Sequence, residues 1–553
     1  MVNSLLAQLP PHYYDMRYIW QFFGDSMMST RVLRFFAVLG LLVTSVACSI
    51  APPAYDLLIE NGTIVDGSGS AAYRGDVAIL GDEIVKVGDL KGAGATRIID
   101  ATGLVVSPGF IDLHSHADRN IRDNPGVENF LHQGVTTLLA GNCGNSPVHL
   151  DEYFKSVEET RIALNLGLLI GHNNVRAEVM GNENRAPTPT EQTHMEALVK
   201  AAMDSGAFGM STGLIYLPGT YSETDEVISL ARVVSAGGGI YATHIRNEFE
   251  LIIEAIEEAI IIGREAGLPV QISHYKVADN SMWGDSTITL GMVEAARAEG
   301  LDIGIDQYPY TAGSTGLANV LPSWARAGSR EDFQARLDDP ETRARVKAGT
   351  IKKLNGARAA GNLSRITVAS FEGHPEYSGK TMAEVTLMNG REPTIENGAE
   401  VAMDILYDGE GSAIYFMMVE EDVQRIMLAP FTSIASDGSA VPFGENIPHL
   451  RNYGTFPRVL AKYVRNEGLL SLEQAIYKMT ALPASRIKLS TRGVLAEGMV
   501  ADINIFDPET VSDNDDWSKP HQYASGFAYV IVAGIPVIDR NTRTNAFPGR
   551  VLR

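Results

Sequence analysis

The sequence predicts an α/β protein, because short apolar runs alternate with helical patterns over most of the chain. Eight of these runs follow residue 108, and each is long enough for one buried strand. The interval 248–263, rich in Glu and Ile at helical spacing, is the clearest of the helices between them. Eight strand–helix units in succession are typical of a (β/α)₈ barrel. The predicted barrel strands are 109–114, 135–142, 164–171, 207–212, 239–244, 269–274, 301–308 and 431–437.

The predicted barrel domain spans residues 108–490 and contains one long interruption. About residues 311–430 separate the seventh strand from the eighth, far more chain than one crossover helix needs. Loops on the C-terminal face of a barrel are where insertions shape pockets. We therefore predict an inserted subdomain between barrel strands 7 and 8.

Segments rich in strand patterns flank the barrel on both sides. Residues 55–107 alternate between apolar and polar positions and turn at Asn61-Gly62 and Asp66-Gly67, which is a hairpin signal. Residues 491–553 become strand-like again after a helical stretch. We predict that the two ends of the chain meet as one small β-sandwich beside the barrel.

Residues 1–48 predict a leader and signal peptide. Arg31 and Arg34 precede an apolar run at 35–47, and small residues end that run before Cys48. This order is typical of a secretory signal, and the run is too short for a comfortable membrane span. Cys48 also resembles the cysteine of a bacterial lipoprotein box. We predict export to the periplasm or the outer membrane, with membrane attachment through lipidated Cys48 as a further hypothesis and a buried N-terminal helix as the alternative.

Composition limits the class of partner. The 553 residues suffice for two or three structural units, and 45% hydrophobic content can fill a large core. The chain has 45 Lys and Arg against 67 Asp and Glu, a net charge of −22. A protein that neutralises phosphates needs a basic face, so this balance argues against nucleic acid. A small-molecule partner stays open, since overall charge does not fix the field inside a pocket.

Metal-binding side chains recur where the predicted barrel strands end. The C-terminal ends of barrel strands converge on one face, where catalytic residues of this fold lie. Residues i and i+2 of a strand share a face, so a His-x-His can aim both rings at one point. Imidazole, thiolate and carboxylate suit zinc, whereas each histidine taken alone is equally an ordinary core residue. These side chains are His114, His116, Cys143, His244, His274 and Asp437.

Cys143 is the one cysteine of the chain outside the leader. A single thiol cannot form an internal disulfide, so the mature domain is not a disulfide scaffold. Cys143 is therefore a small buried hydrophobe, a metal ligand or a nucleophile.

Several motifs together resemble one known family. The motifs are SPGFIDLHSH (107–116), QGVTTLLAGNCG (133–144), YATHIR (241–246), SHYK (273–276), DQYPYTAGST (306–315), IYFMM (414–418), SDG (436–438) and GTFPR (454–458). They resemble the N-acyl-D-amino-acid deacylase (D-aminoacylase) family of the amidohydrolase superfamily, from about residue 55 to the C-terminus. The resemblance implies a TIM-like barrel of the amidohydrolase type. It also implies zinc-dependent hydrolysis of N-acyl-D-amino acids to a D-amino acid and a carboxylate.

The resemblance implies one tight Zn²⁺ site and a second, weaker metal site. Many superfamily relatives place a carboxylated lysine on the fourth strand, but 207–212 contains no lysine. We therefore expect Cys143 to act as the bridging group, because a thiolate is a strong zinc donor. The tight ligands are Cys143, His244 and His274, and the weaker site takes His114 and His116 and shares Cys143 and Asp437.

Asp437 is the expected general base and acid, which takes a proton from metal-activated water and delivers it to the leaving amine. The alternative for Asp437 is a turn carboxylate in Ser-Asp-Gly. The resemblance further points to side chains that contact the substrate. Lys276, Tyr308 and Arg451 would hold the α-carboxylate, and Tyr415 and Met418 would border the side-chain pocket. Ile215 stands where D-aminoacylase has Phe, so side-chain preference does not carry over.

Three other functions compete with this hypothesis. A related amidohydrolase would act on dipeptides or on N-acyl-D-Asp and N-acyl-D-Glu. A non-enzymatic exported lipoprotein would use the barrel pocket to bind solute, but it has no need of an Asp437 base. A cysteine hydrolase would use Cys143 as nucleophile and be inactivated by alkylation but not by chelators.

Overall fold

The computed structural model describes residues 54–356 and 358–553. The predicted leader and signal peptide, with Cys48, lies outside these residues. Within them, no helix has both the length and the apolar character needed to cross a membrane.

Strands lie at both ends of the chain and through the barrel. Their bounds are β1 (Tyr55–Ile64), β2 (Tyr73–Leu80), β3 (Glu83–Gly88), β4 (Ala95–Asp100), β5 (Val105–Pro108), β6 (Phe110–Asp112), β7 (Val135–Ala140), β8 (Asn165–Leu168), β9 (Ile170–Gly171), β10 (Gly209–Gly213), β11 (Ile240–His244), β12 (Val270–Ile272), β13 (Ile303–Gln307), β14 (Ala312–Gly316), β15 (Ile366–Phe371), β16 (Gly411–Phe416), β17 (Thr432–Ile434), β18 (Ile503–Phe506), β19 (Phe527–Val532), β20 (Ile535–Asp539) and β21 (Thr542–Arg543).

Helices fill the intervals between barrel strands and much of the chain between β13 and β17. The α-helices are Glu128–Leu131, Leu150–Thr160, His172–Met180, Pro189–Asp204, Thr224–Ala236, Ile252–Ala266, Ser286–Ala298, Arg330–Asp338, Pro340–Asn355, Met382–Met388, Ile395–Asp408, Glu420–Leu428, Arg451–Arg458, Leu472–Met479 and Ala481–Arg486. A π-helix, Val459–Asn466, continues the helix that begins at Arg451, and shorter 3₁₀ turns are Ala117–Arg119, Gly219–Tyr221, Leu317–Val320, Ser323–Arg326, Leu363–Arg365 and Pro375–Tyr377.

The eight predicted strands form a parallel barrel. β6, β7 and β8 pair in parallel, and so do β9 to β13 followed by β17. On one side the Phe208 N–H donates to the Leu168 carbonyl at 2.9 Å, which joins β8 to the strand that follows. On the other side the Asp437 N–H donates to the His114 carbonyl at 2.8 Å. These bonds close the ring, and the predicted fold class is confirmed.

Both ends of the chain meet in one sheet. β18 pairs antiparallel with β5, which places C-terminal Asn504 opposite N-terminal Ser107. The strand order is β21-β20-β19-β18-β5-β1-β2-β3, and β4 pairs with β1, so the sheet branches. Apolar side chains from both ends, among them Ile59, Val77 and Ile503, share one buried core. Such a core stabilises neither end without the other.

The chain between β13 and β17, here called the insert, has its own core. Its strands form an antiparallel sheet in the order β14-β16-β15. Buried Val346, Ile366 and Met403 belong to a cluster that also contains Phe249 and Tyr308 from loops of the barrel. Those loops follow the C-terminal ends of β11 and β13. The insert therefore covers the face of the barrel on which the strand-end side chains lie.

The helix predicted at 248–263 begins later than the sequence pattern indicates. It spans Ile252–Ala266, with Gly267 in the left-handed conformation at its C-terminal end. The Asn247 side-chain oxygen accepts from the Phe249 and Leu251 N–H groups, so residues 247–251 form a turn instead of a first helical turn. Glu248 lies in that turn.

Candidate metal centre

The metal-binding side chains predicted from the sequence meet at one end of the barrel. His114 and His116 follow β6, Cys143 follows β7, His244 ends β11, and His274 and Asp437 follow β12 and β17. All of them are buried. All except His114 line one cavity of about 640 Å³, and the His114 ring lies behind the Cys143 sulfur.

Three of these residues adopt a left-handed backbone. The φ angles of Cys143, His274 and Asp437 are 53°, 35° and 50°. Such conformations cost about 1–3 kcal/mol for residues other than glycine and persist where surrounding contacts enforce them. The His274 N–H donates to Asp306 Oδ1 at 2.7 Å and supplies one such contact. The side chains of Cys143, His274 and Asp437 all line the cavity.

Cys143 lies at the centre of the cluster. Its Sγ is 3.4 Å from His114 Nε2, 3.4 Å from His274 Nε2 and 3.7 Å from His244 Nδ1. Zinc bonds of about 2.1 Å to nitrogen and 2.3 Å to sulfur place tetrahedral donors about 3.5 Å apart. The residues therefore fit a cation at the Cys143 sulfur, and His114 is as close to that sulfur as His274 is.

A second group of donors adjoins the first. Asp437 Oδ1 is 3.0 Å from His116 Nε2 and 3.6 Å from His114 Nε2. His114 belongs to both groups, because it also contacts Cys143. The donors thus suit two adjacent cation positions that share His114, whereas the sequence indicated sharing through Cys143 and Asp437.

Two carboxylates that the sequence analysis missed hold the histidine rings. Asp306 Oδ1 lies 3.1 Å from His114 Nδ1, and Glu248 Oε1 lies 3.0 Å from His274 Nδ1. At His114 the carboxylate on Nδ1 fixes the proton there and leaves Nε2 free to bind a cation, whereas His274 Nδ1 also lies 2.7 Å from Lys276 Nζ. In both histidines Nε2 is the atom that faces Cys143. The position of Asp306 at the end of the seventh strand is the signal that could have indicated its role.

Charge within the cluster favours the ionised forms of its acidic donors. Burial alone would raise the pKa of the Cys143 thiol, but His114 and His274 outweigh burial and hold that pKa well below its usual range. Burial likewise opposes ionisation of Asp437. The Arg451 guanidinium, 2.8 Å from Asp437 Oδ2, together with His114 and His116 outweighs burial and holds the pKa of that carboxyl well below its usual range. Thiolate and carboxylate are the forms that bind metal.

Comparison with known proteins agrees with this geometry. The profile of the amidohydrolase family matches residues 97–538. The chain is 39% identical to D-aminoacylase of Alcaligenes xylosoxydans xylosoxydans over 521 residues, which cover 90% of this chain and 97% of that enzyme. The chain belongs to the amidohydrolase family.

Solved structures resemble this amidohydrolase over the same extent. A crystal structure of D-aminoacylase matches with a TM-score of 0.78 and 36% identity, covering 90% of this chain and 100% of that one. N-acyl-D-glutamate deacylase from Bordetella bronchiseptica, solved with zinc and a phosphonate inhibitor, matches with a TM-score of 0.77 and 32% identity, covering 90% and 99%. The amidohydrolase described here is therefore a hydrolase with a metal-binding site.

The side chains predicted to hold a substrate carboxylate line the same cavity. Lys276, Tyr308 and Arg451 are all buried there. The Arg451 guanidinium lies 4.8 Å from the centre of the Tyr308 ring, and the Lys276 ammonium lies 5.7 Å from it. The two cations are already paired with protein carboxylates, because Lys276 Nζ is 2.5 Å from Glu248 Oε1 and Arg451 contacts Asp437.

The side-chain pocket of the amidohydrolase differs from the prediction. Tyr415 and Met418 do not line the cavity, whereas Ile215 and Met417 do. The Tyr415 hydroxyl donates to the Gly316 carbonyl at 3.2 Å, which holds its ring in the core of the insert. Met418 lies at a small separate void behind Tyr308. The sequence positions of Tyr415 and Met418 could not indicate which side chains in and after β16 face the cavity.

Removing the Glu248 carboxylate is expected to destabilise the protein. Glu248→Ala leaves the buried Lys276 ammonium and the His274 ring without their carboxylate, so the free energy of unfolding should fall by about 3 kcal/mol. Denaturant unfolding in the presence of a chelator measures this without a contribution from metal. Glu445→Ala is the control, since Glu445 is an exposed carboxylate at the same cavity. Equal stability of the two variants would contradict the role given to Glu248.

Proposed function

We propose that this amidohydrolase cleaves the amide bond of N-acyl-D-amino acids and releases a D-amino acid and a carboxylate. The observation that carries the proposal is the cluster of Cys143 with His114, His244 and His274, with Asp437 beside it. The similar proteins named above are a D-aminoacylase and an N-acyl-D-glutamate deacylase, and both names describe deacylation of D-amino acids. That similarity supports the same reaction here.

Zinc is the metal that we propose for the centre. Cys143, His244 and His274 would hold the tight ion, since the Cys143 sulfur lies 3.7 Å from His244 Nδ1 and 3.4 Å from His274 Nε2. His114, His116 and Asp437 would form the weaker position. A donor set of one thiolate and several imidazoles suits zinc, and the Bordetella bronchiseptica relative was solved with zinc. Zinc supplies Lewis acidity, which polarises an amide carbonyl and makes water a better nucleophile at neutral pH.

Asp437 is the proposed proton carrier. Its carboxyl is ionised because Arg451 holds the pKa low, so it can accept a proton from the attacking water at the cavity wall. The same carboxyl then delivers that proton to the nitrogen of the leaving amine. An amine leaves poorly unless it is protonated, so the second transfer matters as much as the first.

The substrate carboxylate would be held by Lys276, Tyr308 and Arg451. Arg451 presents a planar fork that can bind two carboxylate oxygens, and Lys276 adds a point charge. Lys276 and Arg451 both lie near the Tyr308 ring in the cavity that Asp437 also lines, so a carboxylate bound there would have a defined position relative to Asp437. A related specificity for dipeptides or for N-acyl-D-Asp and N-acyl-D-Glu remains the alternative within the same chemistry.

Export is a separate part of the proposal. The basic residues Arg31 and Arg34 before the apolar run support a signal peptide, and Cys48 supports anchoring by a lipid. We propose a periplasmic or outer-membrane location on this basis.

A comparison of the hydrolysis rates of the D and L enantiomers of one substrate tests the proposed function. The zinc-loaded enzyme is expected to hydrolyse either N-acetyl-D-methionine or N-acetyl-D-glutamate and to leave the L form of each unchanged. Release of free amine measures the hydrolysis. A chelator should abolish turnover, because the water then loses its activating metal. Iodoacetamide should leave the zinc-loaded enzyme active. Preference for L substrates would refute the stereochemistry, and inactivation by iodoacetamide alone would favour a cysteine hydrolase.

A further inference from the structure

A buried histidine holds the start of the helix that carries Arg451. The Arg451 N–H donates to His449 Nδ1 at 3.0 Å, and the other ring nitrogen, Nε2, donates to the Ala312 carbonyl at 2.9 Å. Because a carbonyl can only accept, Nε2 carries the proton and Nδ1 is the acceptor. Burial, together with the charge of Arg451, holds the pKa of His449 well below its usual range and keeps the ring neutral. His449 thus joins the first residue of the helix to the first residue of β14.

The same strand also contacts the Arg451 guanidinium. Its Nη2 donates to the carbonyl of Ser314, two residues along β14 from Ala312, at 3.5 Å. Its Nη1 lies 2.8 Å from Asp437 Oδ2. A movement of the helix start relative to β14 would therefore shift the guanidinium within the cavity.

Three aromatic rings surround the His449 ring. The ring centres of Tyr308, Tyr310 and Trp517 lie 6.0, 5.4 and 5.1 Å from the centre of the imidazole. Tyr310 and Trp517 meet it edge to face, at 90° and 85°, and such packing restricts the orientation of a ring. Trp517 differs from the two tyrosines, because it comes from the C-terminal part of the chain and does not line the cavity.

Polar contacts fasten residues 513–517, here called the C-terminal strap, to the helix of Arg451. Arg458 Nη1 lies 2.9 Å from Asp513 Oδ2 and 3.2 Å from Asp515 Oδ2. Burial, with the charge of Asp513, raises the pKa of Asp515 to about 8, so Asp513 is the carboxylate that pairs with Arg458 at neutral pH. One turn earlier, a Cβ at Gly454 would come within 2.5 Å of Asp515 Oδ1, so glycine leaves room for that carboxyl. Both ends of the GTFPR motif thus contact the strap.

We propose that His449 is a positioning residue for Arg451 and that the C-terminal strap, through Trp517, holds His449 in place. The inference rests on the proposed function, because the effect on substrate passes through Arg451 as the anchor of the α-carboxylate. A guanidinium pairs with both oxygens of a carboxylate only in a narrow planar geometry. A small shift of Arg451 is therefore enough to weaken substrate binding.

The kinetics of Trp517 variants test the proposal. Trp517→Ala should raise KM about 10-fold for whichever of N-acetyl-D-methionine and N-acetyl-D-glutamate is hydrolysed, and should leave kcat within about twofold, since the carboxylate anchor shifts. Trp517→Phe keeps an aromatic ring beside His449, so its KM should stay within about threefold of that of the unmodified enzyme. An unchanged KM in Trp517→Ala, or a loss of kcat as large as the rise in KM, would overturn the proposal.

Trp324→Ala is the matched control. Trp324 and Trp517 are both 38% exposed and neither lines the cavity, but Trp324 lies in the insert beneath the guanidinium of Arg345. KM of Trp324→Ala should equal that of the unmodified enzyme. An equal rise of KM in the two alanine variants would show a general response to the loss of a tryptophan and would overturn the proposal.

Two substitutions at His449 separate its two hydrogen bonds. His449→Asn can place an oxygen near the position of Nδ1 and accept from the Arg451 N–H, whereas His449→Gln can reach only the Ala312 carbonyl. KM should rise about 10-fold in His449→Gln and by less in His449→Asn. A KM for His449→Asn at least as high as that for His449→Gln would contradict the role given to Nδ1.

A double variant shows whether the effect of the strap passes through Arg451. Arg451→Met removes the anchor, so adding Trp517→Ala to it should change kcat/KM by no more than about twofold. If the two losses multiply instead, Trp517 acts independently of Arg451 and the proposal fails.

Binding separates this inference from the reaction itself. If neither compound is hydrolysed, the proposed function fails, but titration calorimetry with N-acetyl-D-methionine and N-acetyl-D-glutamate still reports on the position of Arg451. Affinity that falls about 10-fold in Trp517→Ala and not in Trp324→Ala supports the positioning role. Unchanged affinity in Trp517→Ala, or no binding to the unmodified protein, overturns it.

Discussion

Replacing Cys143 with alanine is expected to remove the tight metal ion and to lower kcat/KM by at least about 10³-fold. The Cys143 sulfur contacts three histidines, so its loss leaves these imidazoles without the anionic donor that they share. A metal centre that loses its central thiolate loses affinity, and with the metal goes the activation of water. Metal content after dialysis, measured by mass spectrometry beside activity, checks the prediction.

A buried histidine outside the cluster provides the control for this experiment. His172 follows β9, and its Nε2 lies 2.9 Å from Glu226 Oε1, away from Cys143. His172→Asn should keep one equivalent of metal even if its stability falls. Cys143→Ala that still binds one equivalent tightly and still turns over substrate would remove Cys143 from the centre.

The sequence was sufficient to predict the barrel and the groups at its strand ends. Apolar runs mark buried parallel strands, and the topology of the fold brings their C-terminal ends together, so residues as distant as His114 and Asp437 could be placed at one site before any coordinates. The motifs added the assignment of roles to those residues.

The residues that the sequence did not indicate owe their places at the site to the direction in which their side chains point. Glu248 lies in what reads as the first turn of a helix, and only the Asn247 turn releases it towards His274. Tyr415 lies in β16 and Met417 directly follows the last residue of that strand, and of the two only Met417 reaches the cavity. Such placements depend on packing that periodicity does not specify.

Replacing Asp437 with asparagine is expected to lower kcat by about 10³-fold while one equivalent of metal stays bound. The amide keeps the size of the side chain but cannot carry a proton from water to the leaving amine, and general acid–base catalysis typically contributes about 10²–10⁴-fold. The tight ligands Cys143 and His274 are unchanged, since the metal donors that Asp437 contacts are His114 and His116 of the neighbouring group. Rate measurements at saturating substrate, with metal analysis of the same sample, check both parts.

The loss of kcat, compared with the loss of metal, distinguishes a role of Asp437 in proton transfer from a role in binding metal. Arg451 contacts Asp437 Oδ2 and would lose a charged partner in Asp437→Asn, so KM should fall or stay level as its guanidinium becomes free for the substrate carboxylate. A role of Asp437 in metal binding alone would instead lower metal content and kcat together, and added zinc would restore both. A variant that keeps its metal and nearly all of its kcat would exclude Asp437 as the proton carrier, because among the described residues no other carboxylate contacts both His114 and His116.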